Sequence, residues 1–208
     1  KIMKNVLIIV IILLVVIVVG YFIFTSDKSQ DLPEQDGQSA SEPDRQKIRE
    51  QGEPEDKTVL GQGFSVKVPK GWVEQTAPMG VSLMAVDMLS VVNDERARQI
   101  NFHPYYTVSL DSLQDLELQG YVEILKQGIN QVTPGIVFQN ENNLEINANK
   151  AYAMEGEVIQ NEIEFKLLIV LVKGKTKDVW VVSFNTTKAD WDKNAPQFTE
   201  IANSFLIR

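Results

Sequence analysis

Val6 to Phe24 is one unbroken apolar run, VLIIVIILLVVIVVGYFIF, and no other segment constrains the chain as much. About nineteen residues at roughly 1.5 Å rise make close to 28 Å of helix, the hydrocarbon thickness of a bilayer. No charge interrupts the run and Gly20 is its only non-apolar member, whereas a core helix of a globular domain needs a polar stripe. A transmembrane segment over 6–24 is therefore expected. The rival reading is a cleaved signal peptide, which has a shorter apolar core and a small-residue cleavage site. This run leaves through Tyr21-Phe22-Ile23-Phe24-Thr25-Ser26 with no such site, so an uncleaved signal anchor is the expectation. Lys1 and Lys4 precede it; Asp27, Lys28, Asp31 and Glu34 follow. The positive-inside rule then puts residues 1–5 in the cytoplasm and the chain beyond Thr25 outside. The expected location is the plasma membrane of a bacterial-type envelope, crossed once.

Residues 25–57 read as a tether. Between Ser26 and Lys57 the only large aliphatic residues are Leu32 and Ile48, with ten acidic against five basic side chains. Such a segment cannot bury enough apolar area to offset the entropy of ordering, which predicts a disordered acidic linker. Residues 58–208 have the usual length of one domain with a real core. The chain has no cysteine, which excludes a thiol nucleophile, a disulfide and a cysteine metal site. A net charge of −8 does not favour binding nucleic acid or an anionic membrane surface.

Within the domain, Phe64, Val66 and Val68 alternate onto one face of a strand at 63–69. Further strands are expected at 81–88 and 99–106, with a polar loop at 93–96. A helix is expected next, capped by Ser109 or Asp111, with Leu110, Leu113, Tyr121, Ile124, Leu125, Gly128 and Val132 near helical spacing. Pro134-Gly135 ends it. Strands are then expected at 136–139, 151–159, 162–172 and 179–185, before a closing helix at 189–205. Phe165–Val172 and Val179–Phe184 are apolar on both faces, as strands are in the middle of a doubly covered sheet. Strands, helix, strands, helix is the order of an antiparallel α+β domain.

The opening Gly63-Phe64-Ser65-Val66-Lys67-Val68-Pro69-Lys70-Gly71-Trp72 resembles the start of the PsbP-like superfamily, which includes DcrB-type envelope lipoproteins. Ile146-Asn147 leading into Ala151-Tyr152, and Phe198-x-x-Ile201-x-x-Ser204-Phe205, are similar to later family positions; Ala148 stands where the family often has glycine. The resemblance covers roughly 60–207. It implies an α/β/α sandwich with an antiparallel sheet between helices, and an accessory or binding role without catalysis or cofactor.

The residues themselves offer little chemistry. His103 is the only histidine, and no G-x-S-x-G elbow accompanies it. Asp111, Asp115, Glu117 and Glu123 read as a solvated helix face. Gln139 to Asn143 is oxygen-rich but lacks the glycine and terminal glutamate of a calcium loop, and reads as a loop. Asn185-Thr186-Thr187 matches a glycosylation sequon that more simply ends a strand. Met79, Met84 and Met88 suit either the core or an adaptable surface. Trp191, as an exposed contact or as a lid on the core, is taken with Asp190, Tyr105 and Tyr106 as the expected partner surface. The expected function is a membrane-anchored, extracytoplasmic, non-enzymatic binding or scaffold module for another envelope protein. Alternatives are a small-ligand binder and a hydrolase using a carboxylate pair.

Overall fold

The structure, a computed structural model, describes residues 56–208. The anchor expected over 6–24 and nearly all of the linker lie outside the described residues. Among the described residues no helix is long and apolar enough to cross a membrane.

The two stretches that are apolar on both faces become β8 (Ile163–Lys173) and β9 (Asp178–Thr187) and lie inside a large sheet, where both faces need cover. That seven-stranded antiparallel sheet has the order β3-β4-β5-β9-β8-β7-β6. Its other strands are β3 (Trp72–Gln75), β4 (Val81–Asp87), β5 (Tyr105–Ser112), β6 (Val137–Ile146) and β7 (Asn149–Gln160). A second sheet, β1-β2-β10, is formed by Lys57–Gly61, Phe64–Val68 and Leu206–Ile207.

Each face of the large sheet carries its own apolar layer. On one side α2 (Leu118–Val132) packs Tyr121, Val122, Leu125 and Ile129 against Met154, Leu167, Ile169 and Val181, and Ala97 of the short α1 (Glu95–Gln99) joins them. On the other side α3 (Trp191–Ser204) brings Phe198, Ile201 and Ala202 against Val170, Trp180, Val182 and Phe184. The small sheet shares that second face: Phe64 lies 5.1 Å from the Trp180 ring and 5.7 Å from Phe205. Tyr106 Oη donates to the Lys67 carbonyl at 2.9 Å and pins β2 to β5. The sandwich thus has a helix over one face, and a helix plus a small sheet over the other.

The structure corrects the local reading between 93 and 146. Gln99 ends α1 and does not begin a strand, because the Asp94 carboxylate accepts from Ala97 N at 2.8 Å and starts a helical turn. Ser109, Leu110 and Asp111 do not open the helix; they pair with Val181, Trp180 and Val179 of β9. Cross-strand pairing overrides a helical spacing that only begins in earnest at Leu118. Gln139 to Asn143 lie within β6, where the register slips by an extra residue between Gln139 and Asn142. Met84 is buried, while Met79 is fully exposed in the turn before β4.

Candidate functional site

The alternation of β7 places Glu155, Glu157 and Ile159 on the α3 side of the sheet, opposite Leu168, Lys166 and Glu164 of β8. Here only Trp191, the first residue of α3, lies over the patch, and charged side chains take over from apolar ones. Lys166 Nζ lies 2.9 Å from Glu155 and 3.3 Å from Glu157, with its side chain only 12% exposed. Its ammonium also sits 4.5 Å above the centre of the Trp191 ring, a cation–π contact sheltered from water. Lys188 continues the ladder, 2.8 Å from Glu157 and 3.6 Å from Glu164. Gln139 and Asn140 of β6 donate to Glu157 and Glu155 at 2.7 and 2.9 Å.

These hydrogen bonds set the electrostatics. Lys188 first, with smaller help from Lys166 and Gln139, holds the Glu157 carboxyl below the usual carboxylate range against the opposing effect of burial, which is second only to the Lys188 hydrogen bond. Glu157 in turn raises Lys188 above the usual lysine range. Both groups stay charged across neutral pH, so the pair is a fixed ionic feature and not a proton donor and acceptor in waiting.

Beside the ladder, at the sheet rim where β6 and β8 begin and β7 ends, lies a groove of about 280 Å³. Its walls are Val137, Ile159 and Phe165, and its charged edge is Glu157, Glu164 and Lys188. Val137 and Ile159 are 60% and 68% exposed, unusual for aliphatic side chains set side by side along a strand edge. Among the described residues β6 is the last strand of the sheet, so the groove borders a strand edge that they leave unpaired.

Of the expected partner surface, only Trp191 belongs to this region. It is half-buried, packs edge-on against Phe198 at 6.2 Å and carries Lys166 on its face, so it is a lid on the core. Tyr105, Tyr106 and Asp190 are buried and offer a partner no surface. Tyr105 and Tyr106 lie in β5, which is covered on both faces, and burial pushes both phenols up from their usual range. Asp190 stands at the start of α3, but its carboxylate makes no capping bond there. It accepts from Thr187 Oγ1 at 2.6 Å and from Asn93 N and Nδ2 at 2.9 and 2.8 Å, which ties the loop after β4 to the end of β9. His103 is partly buried with Nδ1 3.1 Å from the Asp87 carbonyl. Asn185 is buried, so the sequon is closed to modification in the folded domain.

The ladder was not anticipated from sequence. Its signal was there: Lys166 interrupts an otherwise apolar central strand, and such a cation inside a sheet needs carboxylates on the neighbouring strand.

No family model matches the chain, and no curated protein matches it. Solved structures do. The cyanobacterial PsbP protein CyanoP of Synechocystis shares 16% identity at a TM-score of 0.57, over 76% of this chain and 96% of that one. LpqN of Mycobacterium tuberculosis, involved in cell envelope biogenesis, shares 15% at 0.53, over 82% and 99%. The Ran-binding protein Mog1p of Saccharomyces cerevisiae shares 12% at 0.53, over 73% and 95%. What these likenesses have in common is architecture: the described domain has a PsbP- and Mog1-like fold.

Proposed function

We propose that this chain is a membrane-tethered, extracytoplasmic accessory module that holds another envelope protein at the rim groove and performs no catalysis. The observation that carries the reading is the groove's make-up: exposed Val137 and Ile159 beside the fixed ion pairs of Glu157, Glu164 and Lys188. Apolar anchors with a charged edge suit a protein surface, the aliphatics supplying contact and the charges register. Hydrolysis by two carboxylates needs pKa values driven apart, and here Lys188 binds both glutamates while Glu157 is held ionised. A groove open at the rim, with a volume just under the roughly 300–1,000 Å³ usual for small-molecule sites, favours a protein over a small ligand. LpqN's part in envelope biogenesis and Mog1p's binding of Ran are consistent with protein partners on this fold.

The test is a photo-crosslinking amino acid placed at Ile159 in the full chain, in cells, with Val73 as an exposed control. One discrete adduct from position 159, absent from 73 and lost on Lys188→Glu, is expected. Identical adduct patterns from both positions would rule the groove out as the binding site.

A further inference from the structure

The loop after β4 presents Met88, Leu89 and Val91 to solvent, the last two 72% and 73% exposed. It is firmly built. Asp87 Oδ1 accepts from Leu89 N and Ser90 N at 3.1 Å each, and Val92 is buried in the core behind the tip. Asp190 holds Asn93, Arg98 Nη1 donates to the carbonyls of Val92 and Asn93 at 2.8 Å, and Lys193 Nζ reaches Ser90 Oγ at 3.3 Å. The carboxylates of Asp87, Asp94 and Asp190 each accept from protein N–H or O–H donors and brace the loop from within, while the aliphatic side chains form its exposed tip.

The position of this tip in the molecule is what gives it meaning. The described domain begins at Asp56, whose Oδ1 accepts from Lys70 N at 2.8 Å. Gly71, the next residue, lies against Leu89: a Cβ at Gly71 would stand 2.5 Å from Leu89 Cδ1. The chain therefore comes into the domain at the same end as the apolar loop. The sequence before it is about 30 residues of polar chain and then the apolar run ending at Phe24.

We propose that Met88, Leu89 and Val91 dip into the surface of the bilayer to which the chain is tethered, and that this end of the domain faces the lipid. The inference rests on the reading of 6–24 as an anchor. Three aliphatic side chains bind a bilayer only weakly by themselves, as even a single acyl chain gives marginal attachment. A coil of about 30 residues has a root-mean-square reach of roughly 30 Å, which holds the loop near the surface at millimolar effective concentration. Weak insertion then suffices. Strand register puts the rim groove at this same end of the sheet, set sideways from the loop by β5 and β9: Val86 pairs with Tyr105, Tyr105 with Asn185, and Asn185 with Leu167 near the start of β8. The β8–β9 turn around Lys175 marks the opposite end, since Asp178 pairs with Ser112 where β5 finishes.

The chain has no cysteine, so Leu89→Cys gives a unique site for an environment-sensitive fluorophore, with Lys175→Cys, exposed in the turn at the opposite end of the sheet, as the control. The labelled full chain is reconstituted into vesicles of phosphatidylethanolamine and phosphatidylglycerol and floated on a gradient. The expected result is that the chain floats, and that the label at 89 shifts to the blue and loses most of its emission to headgroup-proximal nitroxide lipid. The label at 175 should do neither. A chain that floats while its label at 89 behaves like that at 175 overturns the loop proposal alone. The same holds for a label at 89 that is shielded only after an envelope protein extract is added, since that would make the loop a protein contact. A chain that does not float overturns the anchor reading and this proposal with it.

Discussion

Tyr105 and Trp180 both carry a polar atom into the interior that finds no partner among the described residues, yet the two side chains differ in worth. The Tyr105 hydroxyl was desolvated for no hydrogen bond. Tyr105→Phe should therefore leave the urea midpoint of the full chain in detergent unchanged, or raise stability by up to about 1 kcal/mol. Trp180 instead fills the space between Phe64 and Phe205, with ring centres at 5.1 and 5.7 Å. Trp180→Ala should cost about 3–5 kcal/mol in the same measurement. A large loss from the first or an unmoved midpoint from the second would contradict this account of the core. Glu157 gives a prediction about pH. Its folded pKa lies below the ordinary 4.5, so its ion pairing stabilises the native state above that value and is lost as pH falls through the folded pKa. Lys188 lies above 10.5, so its share is present below that value and is lost as pH rises through the raised one. Carboxyl-selective NMR titration should find Glu157 below 4.5 in the wild type and moved up toward it in Lys188→Ala. An identical titration in both would show that the rim ladder is not formed.

At the scale of elements, the hairpin from β6 to β7 turns on Asn147 and Ala148, both with positive φ at 47° and 63°. Two-residue hairpin turns of this hand favour glycine at the second position, and alanine there is strained by roughly 1–2 kcal/mol. Ala148→Gly should raise the thermal midpoint, with a net gain of about 0.5–1 kcal/mol after the added freedom of the unfolded chain. A lowered midpoint would mean that Ala148 is held by contacts the turn itself does not require. The strands that read clearly in the sequence were those with an unambiguous pattern: β2 by alternation, β8 and β9 by apolarity on both faces. The start of α2 was misread because Leu110 and Leu113 keep helical spacing with Tyr121 while the first of them is bonded into β5, a long-range pairing no local pattern records. β6 was shortened because its polar stretch Gln139–Asn143 is an exposed edge with a bulge, where neither face imposes alternation. The groove was missed for a related reason. It is assembled from residues in four separate segments, and only Lys166, a cation inside an apolar strand, announces it locally.

In the arrangement we propose for the whole molecule, an apolar anchor and a polar tether precede a domain that has an apolar tip beside its first described residues and a mixed groove at the sheet rim. In that arrangement the tether serves both surfaces, since a domain held close to the bilayer meets its partner at the membrane surface. Everything in this account depends on the domain being outside. The direct measurement is protease shaving of cells stripped of their outer layers but sealed by an intact plasma membrane. Cleavage should fall between residues 26 and 57, where the chain is polar and rich in acidic residues, and should release a protected fragment running to Arg208 while the membrane is still sealed. If the domain stays inaccessible until the membrane is lysed, its orientation is the reverse and the account of an outward-facing binding module is wrong.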